Sequence, residues 1–419
     1  GMLLSAALGF YLLICTYSAI GMFMSCLSAY QIVSALATFV AIFILTHIGS
    51  LWQRYDFVRD LTYFLSLQNR TEKMTNGLIV TKDVIYFVVV TFLFIAFSFI
   101  RLQNNRESKS SFLKMSRYLA VFVVVVCIGY VSSRPALTGY WDTTAGQIHT
   151  IHPKTQATLG EFSKDSTLEV TLYTNLLGGG LGEGLPEARN SQYLDGLWER
   201  YLRFKPDIRF KYEYYYDNDP AQDDSSLYRA FPGKPLPEIA SEVAMVIDAN
   251  LDMFKAPDEI RQVIDLKPEG YRLVMQLKYK GRTAFVRTFD DPRFWPDETN
   301  MIAAFNRLLG TDMPQVGFVT GGLERSTIKT GEREYALHSA YKGSRGSLQN
   351  IGYDVDTINL SSQDIPNDLT ALVLADPKMD LPPIAMEKLK DHINKGGNLM
   401  VSSEPGKQYV VNPLLSHLG

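Results

Sequence analysis

Phosphate chemistry needs a glycine loop of the form GxxxxGK[ST], whose backbone amides cradle the phosphates and whose lysine neutralises them. Gly233-Lys234 and Gly406-Lys407 run on into Pro235 and Gln408 and lack the upstream glycine, so any ATP hydrolysis must come from another chain. Gly178, Gly179, Gly180, Gly182 and Gly184 follow a predicted strand but do not space as GxGxxG. Pro186 stands where a dinucleotide-binding helix would open, so a flexible external loop is expected there. His149 and His152 are three apart, yet Pro153 breaks the helical turn they would need, and no third ligand is near; metal binding is not expected.

Other pairings fail for equally concrete reasons. Phe210, Tyr212, Tyr214, Tyr215 and Tyr216 interleave with Lys211 and Glu213, which reads as a half-buried strand rather than a stacking platform. Asp217, Asp219, Asp223 and Asp224 lack the DxDxDG spacing of a calcium loop and read as a solvated turn. Gly343-Ser344-Arg345-Gly346 is not a GxSxG elbow. Catalytic, cofactor-binding and metal residues are therefore all expected to be none. Cys15, Cys26 and Cys127 are the only cysteines and all precede residue 134, so the rest has neither a disulfide nor a thiol nucleophile.

The elements around these residues divide the chain by solvent. Its 46% hydrophobic and 20% charged residues and net charge of -3 resemble a soluble enzyme on average, but the apolar residues crowd the start. Four runs, residues 3–24, 32–52, 84–100 and 117–133, approach the ~20 residues that cross a bilayer. The first lacks a basic leader and is followed at once by a second run, which argues against a cleaved signal peptide. Arg101, Arg106, Lys109, Lys114 and Arg117 face only Glu107 between the third and fourth runs, so that loop is expected inside and everything after Arg134 outside. The loop 53–82, external on this reading, offsets Arg54, Arg59, Arg70, Lys73 and Lys82 with Asp56, Asp60 and Glu72. No basic block follows, which excludes nucleic acid as a partner.

After residue 134, strands alternate with helices as in an α/β domain with a mainly parallel sheet. Strands are expected at 168–174, 208–216, 242–248 and 273–279, with a hairpin at Lys280-Gly281 leading into 283–287, and helices at 191–204 and 299–309. A second sheet is expected from 315–320, 354–358, 371–375 and 398–402, with helices at 332–351 and 384–394. The second half reads as flavodoxin-like or amidotransferase-like. The domains are then 1–134 for the membrane part, 135–312 for an extracytoplasmic α/β subdomain and 313–419 for a second, truncated one.

Residues 19–25 (AIGMFMS), 29–33 (AYQIV) and 77–87 (GLIVTKDVIYF) resemble the last part of an ABC-2 type permease of the gliding-motility transporter family. From Arg117 the chain resembles that transporter's auxiliary extracytoplasmic subunit, through Asp142-Thr143-Thr144, residues 151–155 (IHPKT), 351–355 (IGYDV) and 395–399 (KGGNL). Where that subunit shows a GHGE-like turn this chain has Gly321-Gly322-Leu323-Glu324, with Gly322 at the histidine position. The resemblance implies a permease and auxiliary fusion, cut at both ends, in a bacterial inner membrane with its C-terminal domain in the periplasm. It implies a separate cytoplasmic ABC ATPase subunit, the lipid bilayer, and an envelope protein or exported cargo as partners. It implies a non-catalytic binding or coupling domain. Two alternatives stay open: a membrane-anchored enzyme acting on cell-envelope material, and a structural envelope scaffold.

Overall fold

A computed structural model describes residues 1–53, 55–134, 137–219 and 226–417, without the side chains at 50, 56, 57, 60, 61, 64, 68, 69 and 226. Arg54, the side chains of Asp56 and Asp60, and Asp223 and Asp224 lie outside the described residues. The chain forms two compact units, one of residues 1–152 with 186–206, the other of residues 153–185 with 207–419.

The first unit contains three helices long and apolar enough to cross a membrane: α1 (Met2–Leu27), α5 (Thr81–Arg106) and α6 (Ser111–Ser132). A fourth apolar helix, α2 (Gln31–His47), has 17 residues and, at ~1.5 Å per residue, falls short of the ~30 Å hydrocarbon layer. It stops at His47 rather than reaching residue 52, because Ile48–Ser50 tightens into a 3-10 turn. Two shorter helices, α3 (Asp56–Leu65) and α4 (Gln68–Thr75), lie between α2 and α5.

Burial in these helices is inverted relative to a water-soluble bundle. Ser5, Thr16, Ser34 and Ser98 are buried, whereas Leu3, Phe39, Ile95 and Phe122 are exposed. Polar groups turn inward because lipid offers them no partner. Thr16 Oγ1 lies 2.9 Å from Thr91 Oγ1, Ser25 Oγ 3.1 Å from Ser34 Oγ, and Ser5 Oγ donates to the Met74 carbonyl at 2.6 Å. Phe23 packs between Phe94 and Phe97. Arg117 bonds Asn104 and Glu107 across the basic turn that joins α5 to α6. At the other end of the helices, β1 (Leu78–Val80) pairs antiparallel with β2 (Tyr140–Asp142).

The second unit carries two four-stranded sheets. The first has the order β4-β3-β5-β6, from β3 (Glu169–Asn175), β4 (Arg209–Tyr215), β5 (Val274–Tyr279) and β6 (Arg282–Arg287). Only β3 and β4 run parallel; β5 is antiparallel to both β3 and β6. The expectation of a mainly parallel sheet fails here: a two-residue turn imposes antiparallel pairing on β5 and β6, and β5 also pairs antiparallel with β3. Lys280 (φ 46°) and Gly281 (φ 79°) make that turn in the left-handed region, whose twist suits a tight hairpin.

The second sheet is parallel throughout, in the order β10-β9-β7-β8, from β7 (Gln315–Thr320), β8 (Asp354–Asn359), β9 (Ala371–Ala375) and β10 (Leu399–Ser402). Val319, Ile358, Leu372 and Leu374 pack on one face with Leu389 of the helix Pro383–Asn394 and Leu414. Val316, Phe318, Val373 and Ala375 face the other way, against Tyr335 and Leu348.

Three expected elements differ. Residues 242–248 are not a strand: the helix Leu236–Val246 takes 242–246 and Ile247 and Asp248 turn out of it, the helix being opened by Pro235 and Pro237 and burying Ile239, Ala240 and Ala244 on one face. Residues 332–351 form turns instead of a helix, since Gly343, Gly346 and hydroxyl and amide side chains compete for the backbone. Asn350 Nδ2 donates to the carbonyls of Lys342 and Ser344, and Ser339 Oγ donates to that of Tyr335. Residues 191–204 are helical, but Arg189–Trp198 is wound as a π-helix before Glu199–Leu202 returns to α.

Candidate functional site

The second unit holds a cleft of about 1000 Å³. It is bounded by Gly178 and Gly179 after β3, the turn 267–272 before β5, Asp290 after β6, and the turns around Ile328 and Tyr341. Large concavities with convergent polar groups are where ligands bind by default. Asn175, itself buried, fixes one wall: its Nδ2 donates to the carbonyls of Asp217 (2.8 Å) and Tyr271 (2.9 Å), and its Oδ1 accepts from Leu177 N and Asp217 N. Gly178 has to be small, because a Cβ there would lie 2.7 Å from the Tyr271 carbonyl oxygen.

Charges around the cleft are paired across it. Glu269 accepts two hydrogen bonds from Arg287, at 2.6 and 2.9 Å, and one from Lys342 at 2.9 Å. Burial works to raise its pKa, but those bonds and the two cations hold it below the ordinary carboxylate range. Arg272 grips Asp290 through both terminal nitrogens, and Lys267 reaches Asp219 at 2.8 Å. Ile328, 83% exposed, is an apolar contact point on this wall. Among the described residues the cleft is lined by charged, amide, hydroxyl and apolar groups, including Lys267, Glu269, Arg272, Asp290, Tyr341 and Ile328.

The motifs weighed in the sequence are dispersed. His149 Nε2 meets the Asn76 carbonyl at 2.7 Å, and its amide donates to Asp142. Among the described residues no three His, Cys, Asp or Glu side chains are grouped to hold a metal. The glycine run gives a four-residue helical turn, Leu181–Gly184, in place of a phosphate-binding helix. Tyr215 is fully buried in β4, and Tyr214 packs edge-on against Phe254, as a half-buried strand requires. Asp217 is held by a two-pronged bond from Arg261, at 2.8 and 2.7 Å. Ser344 sits in the turns that bound the cleft, where its carbonyl accepts from Asn350.

The carboxyl ends of β7 and β9 are where an open α/β sheet would place its ligand, because the strand order reverses between them. That position is filled by the protein's own charges. Asp376, 1% exposed and in the left-handed region (φ 51°), follows β9. Its Oδ1 accepts from Glu404 N at 2.9 Å, and its Oδ2 meets Lys378 and, at 3.1 Å, Arg325. Glu404 in turn binds Arg325 (3.0 Å), Arg333 (2.9 Å) and Lys378 (2.8 Å). Gly322 contributes only backbone: its N–H donates to Glu324 and its carbonyl accepts from Lys378 N. Every carboxylate oxygen in this cluster has a partner, which leaves it a fastening rather than a reactive group.

None of these residues was marked by spacing, because Arg325, Asp376 and Glu404 meet only when β7, β9 and β10 are aligned. The same holds for Glu269, Arg287 and Lys342. No protein-family model, curated protein or solved structure matches this chain, so the fold and the chemistry of its clefts are what bear on its function.

Proposed function

We propose that this chain is the permease and auxiliary component of a bacterial ABC-2 type exporter of the gliding-motility-associated kind, set in the inner membrane with its second unit in the periplasm. The observation that carries this reading is the pairing of an inverted apolar helix bundle with an α/β unit that holds a cleft of about 1000 Å³. Four apolar helices packed through inward hydroxyls exceed what an anchor needs. The missing phosphate loop assigns ATP hydrolysis to a separate cytoplasmic subunit. The cleft then binds cargo or an envelope protein and does not transform it.

Affinity purification of the full-length chain from its native membrane in mild detergent tests this. A nucleotide-binding subunit should co-purify in fixed ratio, with ATPase activity that the chain stimulates. Recovery without any such subunit, together with turnover of envelope material by residues 153–419, would instead favour the membrane-anchored enzyme.

A further inference from the structure

The turn that joins α5 to α6 gathers the cations Arg101, Arg106, Lys109, Lys114 and Arg117 around a single carboxylate, Glu107. The chain itself saturates that carboxylate. Gln103 donates to Glu107 Oε1 at 2.7 Å, while Arg117 and Lys109 reach Oε2 at 2.9 and 3.1 Å. The hydrogen bonds from Lys109, Gln103 and Arg117 hold its pKa down at about 2, so it stays charged and occupied. Among the described residues, Arg101, Arg106 and Lys114 make no side-chain hydrogen bond or ion pair.

Helical spacing brings these cations together. Arg117 Nη1 bonds Asn104 Oδ1 at 3.0 Å, which fixes where the two helices face each other. Arg101 stands one turn before Asn104 on α5, and Lys114 one turn before Arg117 on α6, so both flank that bond on the facing rows. Arg106 and Lys109 are exposed, and Arg101 and Lys114 are half-buried beside them.

Helix length sets their depth. α5 has 26 residues, about 39 Å at ~1.5 Å per residue against ~30 Å of hydrocarbon, so its last turns emerge among the headgroups. Residues 107–110 alone separate the two helices, which keeps the charges at the membrane surface. Phe99 and Leu102 on α5, and Phe112 and Met115 on α6, are exposed next to the cations and offer acyl chains an apolar surface.

We propose that this turn binds the phosphodiester headgroup of an anionic phospholipid, with Arg106, Lys109 and Lys114 at the phosphate and the exposed apolar side chains against its acyl chains. Clusters of about four to eight lysines and arginines beside a membrane helix attract such lipids, and here no free carboxylate competes for the cations. A choline headgroup brings its own cation to the phosphate and is disfavoured. The assignment needs α5 and α6 to cross a bilayer but not the exporter reading, so either can fail alone.

Native mass spectrometry of the full-length chain tests it, in detergent with equimolar phosphatidylglycerol and phosphatidylcholine of the same acyl chains. At least tenfold preferential retention of phosphatidylglycerol is expected, and Arg106→Gln, Lys109→Gln and Lys114→Gln together should bring the two lipids to parity. Equal retention by the unsubstituted chain overturns the proposal, as does a preference that survives the triple substitution; if that variant also sheds a co-purifying protein, the turn is a protein contact instead. Removing three cations from the second unit, by Arg209→Gln, Lys211→Gln and Lys395→Gln, should leave the preference intact, since those side chains lie outside the membrane helices. An equal loss there would mean that net charge alone attracts the lipid and would overturn the site. Free glycerol phosphate at millimolar concentration should not displace the lipid; full displacement would mean a soluble anion and overturn the lipid assignment. Should the triple variant fail to fold, Arg106→Gln alone breaks no bond and should lower the preference severalfold, and an unchanged preference counts against the site.

Discussion

Two charge clusters built from the same residue types end differently. At the carboxyl edge of the parallel sheet, Asp376, Glu404, Lys378, Arg325 and Arg333 close on one another. In the first unit, Lys73, Lys82, Arg70, Asp83, Asp195 and Glu199 surround a cavity and leave an oxygen and an ammonium incompletely satisfied. The difference is one of closure: the first network holds strand ends together with every carboxylate oxygen partnered, whereas the second, among the described residues, leaves Asp83 Oδ2 without a hydrogen bond. It also shows why burial and charge alone do not mark a binding site.

The comparison breaks most readily at Lys73. Burial works against its charge, but Asp195 and Glu199 hold its pKa above the ordinary lysine value. Lys73→Met leaves two shielded carboxylates facing each other, at a cost of about 3 kcal/mol. Hydrogen exchange should then rise strongly across residues 189–202, which those carboxylates tether, and unchanged protection would show the tether to be unimportant.

Asp376→Asn should cost less, roughly 2 kcal/mol, since the amide keeps the Glu404 N–H acceptor but loses the charge facing Lys378 and Arg325. Faster exchange confined to residues 371–376 and 399–404 is the expected readout. Spread into the first unit would mean the cluster does more than fasten one sheet.

Acid should test the sheet-edge cluster further. Burial acts to raise the Asp376 pKa, but the hydrogen bonds from Lys378 and Glu404 N, with the Arg325 charge, hold it below the ordinary value. Its contribution is complete above the unfolded value of about 3.9 and is lost as pH falls through the lower folded value. The sheet edge should therefore be insensitive between pH 8 and 5 and loosen below about pH 4, a dependence that Asp376→Asn weakens without abolishing, because the hydrogen bond from Lys378 also holds Glu404 below its ordinary value. Lys73 behaves oppositely: its contribution is complete below the unfolded lysine value of about 10.4 and is lost only as pH rises through a folded value higher still.

The smallest stability change is expected at the cleft. Ile328→Asp alters an exposed side chain and should shift stability by less than about 0.5 kcal/mol. It should nevertheless abolish capture of a cargo or envelope partner; unimpaired capture would move recognition elsewhere.

Much of the architecture was legible beforehand, and the exceptions are instructive. β7 and β9 fall on the expected residues because both faces of a parallel strand are buried, which makes the apolar run continuous. The Lys280-Gly281 hairpin was equally plain from its turn residues. The helix Leu236–Val246 was misread because Val243, Met245 and Val246 mimic strand alternation, while the signals that decide it, Pro235 and Pro237, lie further back. The charged clusters carried no signal at all, as bonded members such as Lys73 and Glu199 are 126 residues apart.

What the sequence by itself determined is local: apolar runs long enough for a bilayer, the basic turn between two of them, strand periods, and the absence of a phosphate loop or of any cysteine after Cys127. Each follows from neighbours along the chain, where hydropathy and backbone geometry act. Only the tertiary structure decided that residues 186–206 leave the strand region to pack within the first unit, that Asp376 is sealed by its own cations, and that Asp83 is buried against Arg70 with, among the described residues, one unpartnered oxygen. Those outcomes depend on which distant charges share a buried space, and pairing energies of that kind exist only once the chain has folded.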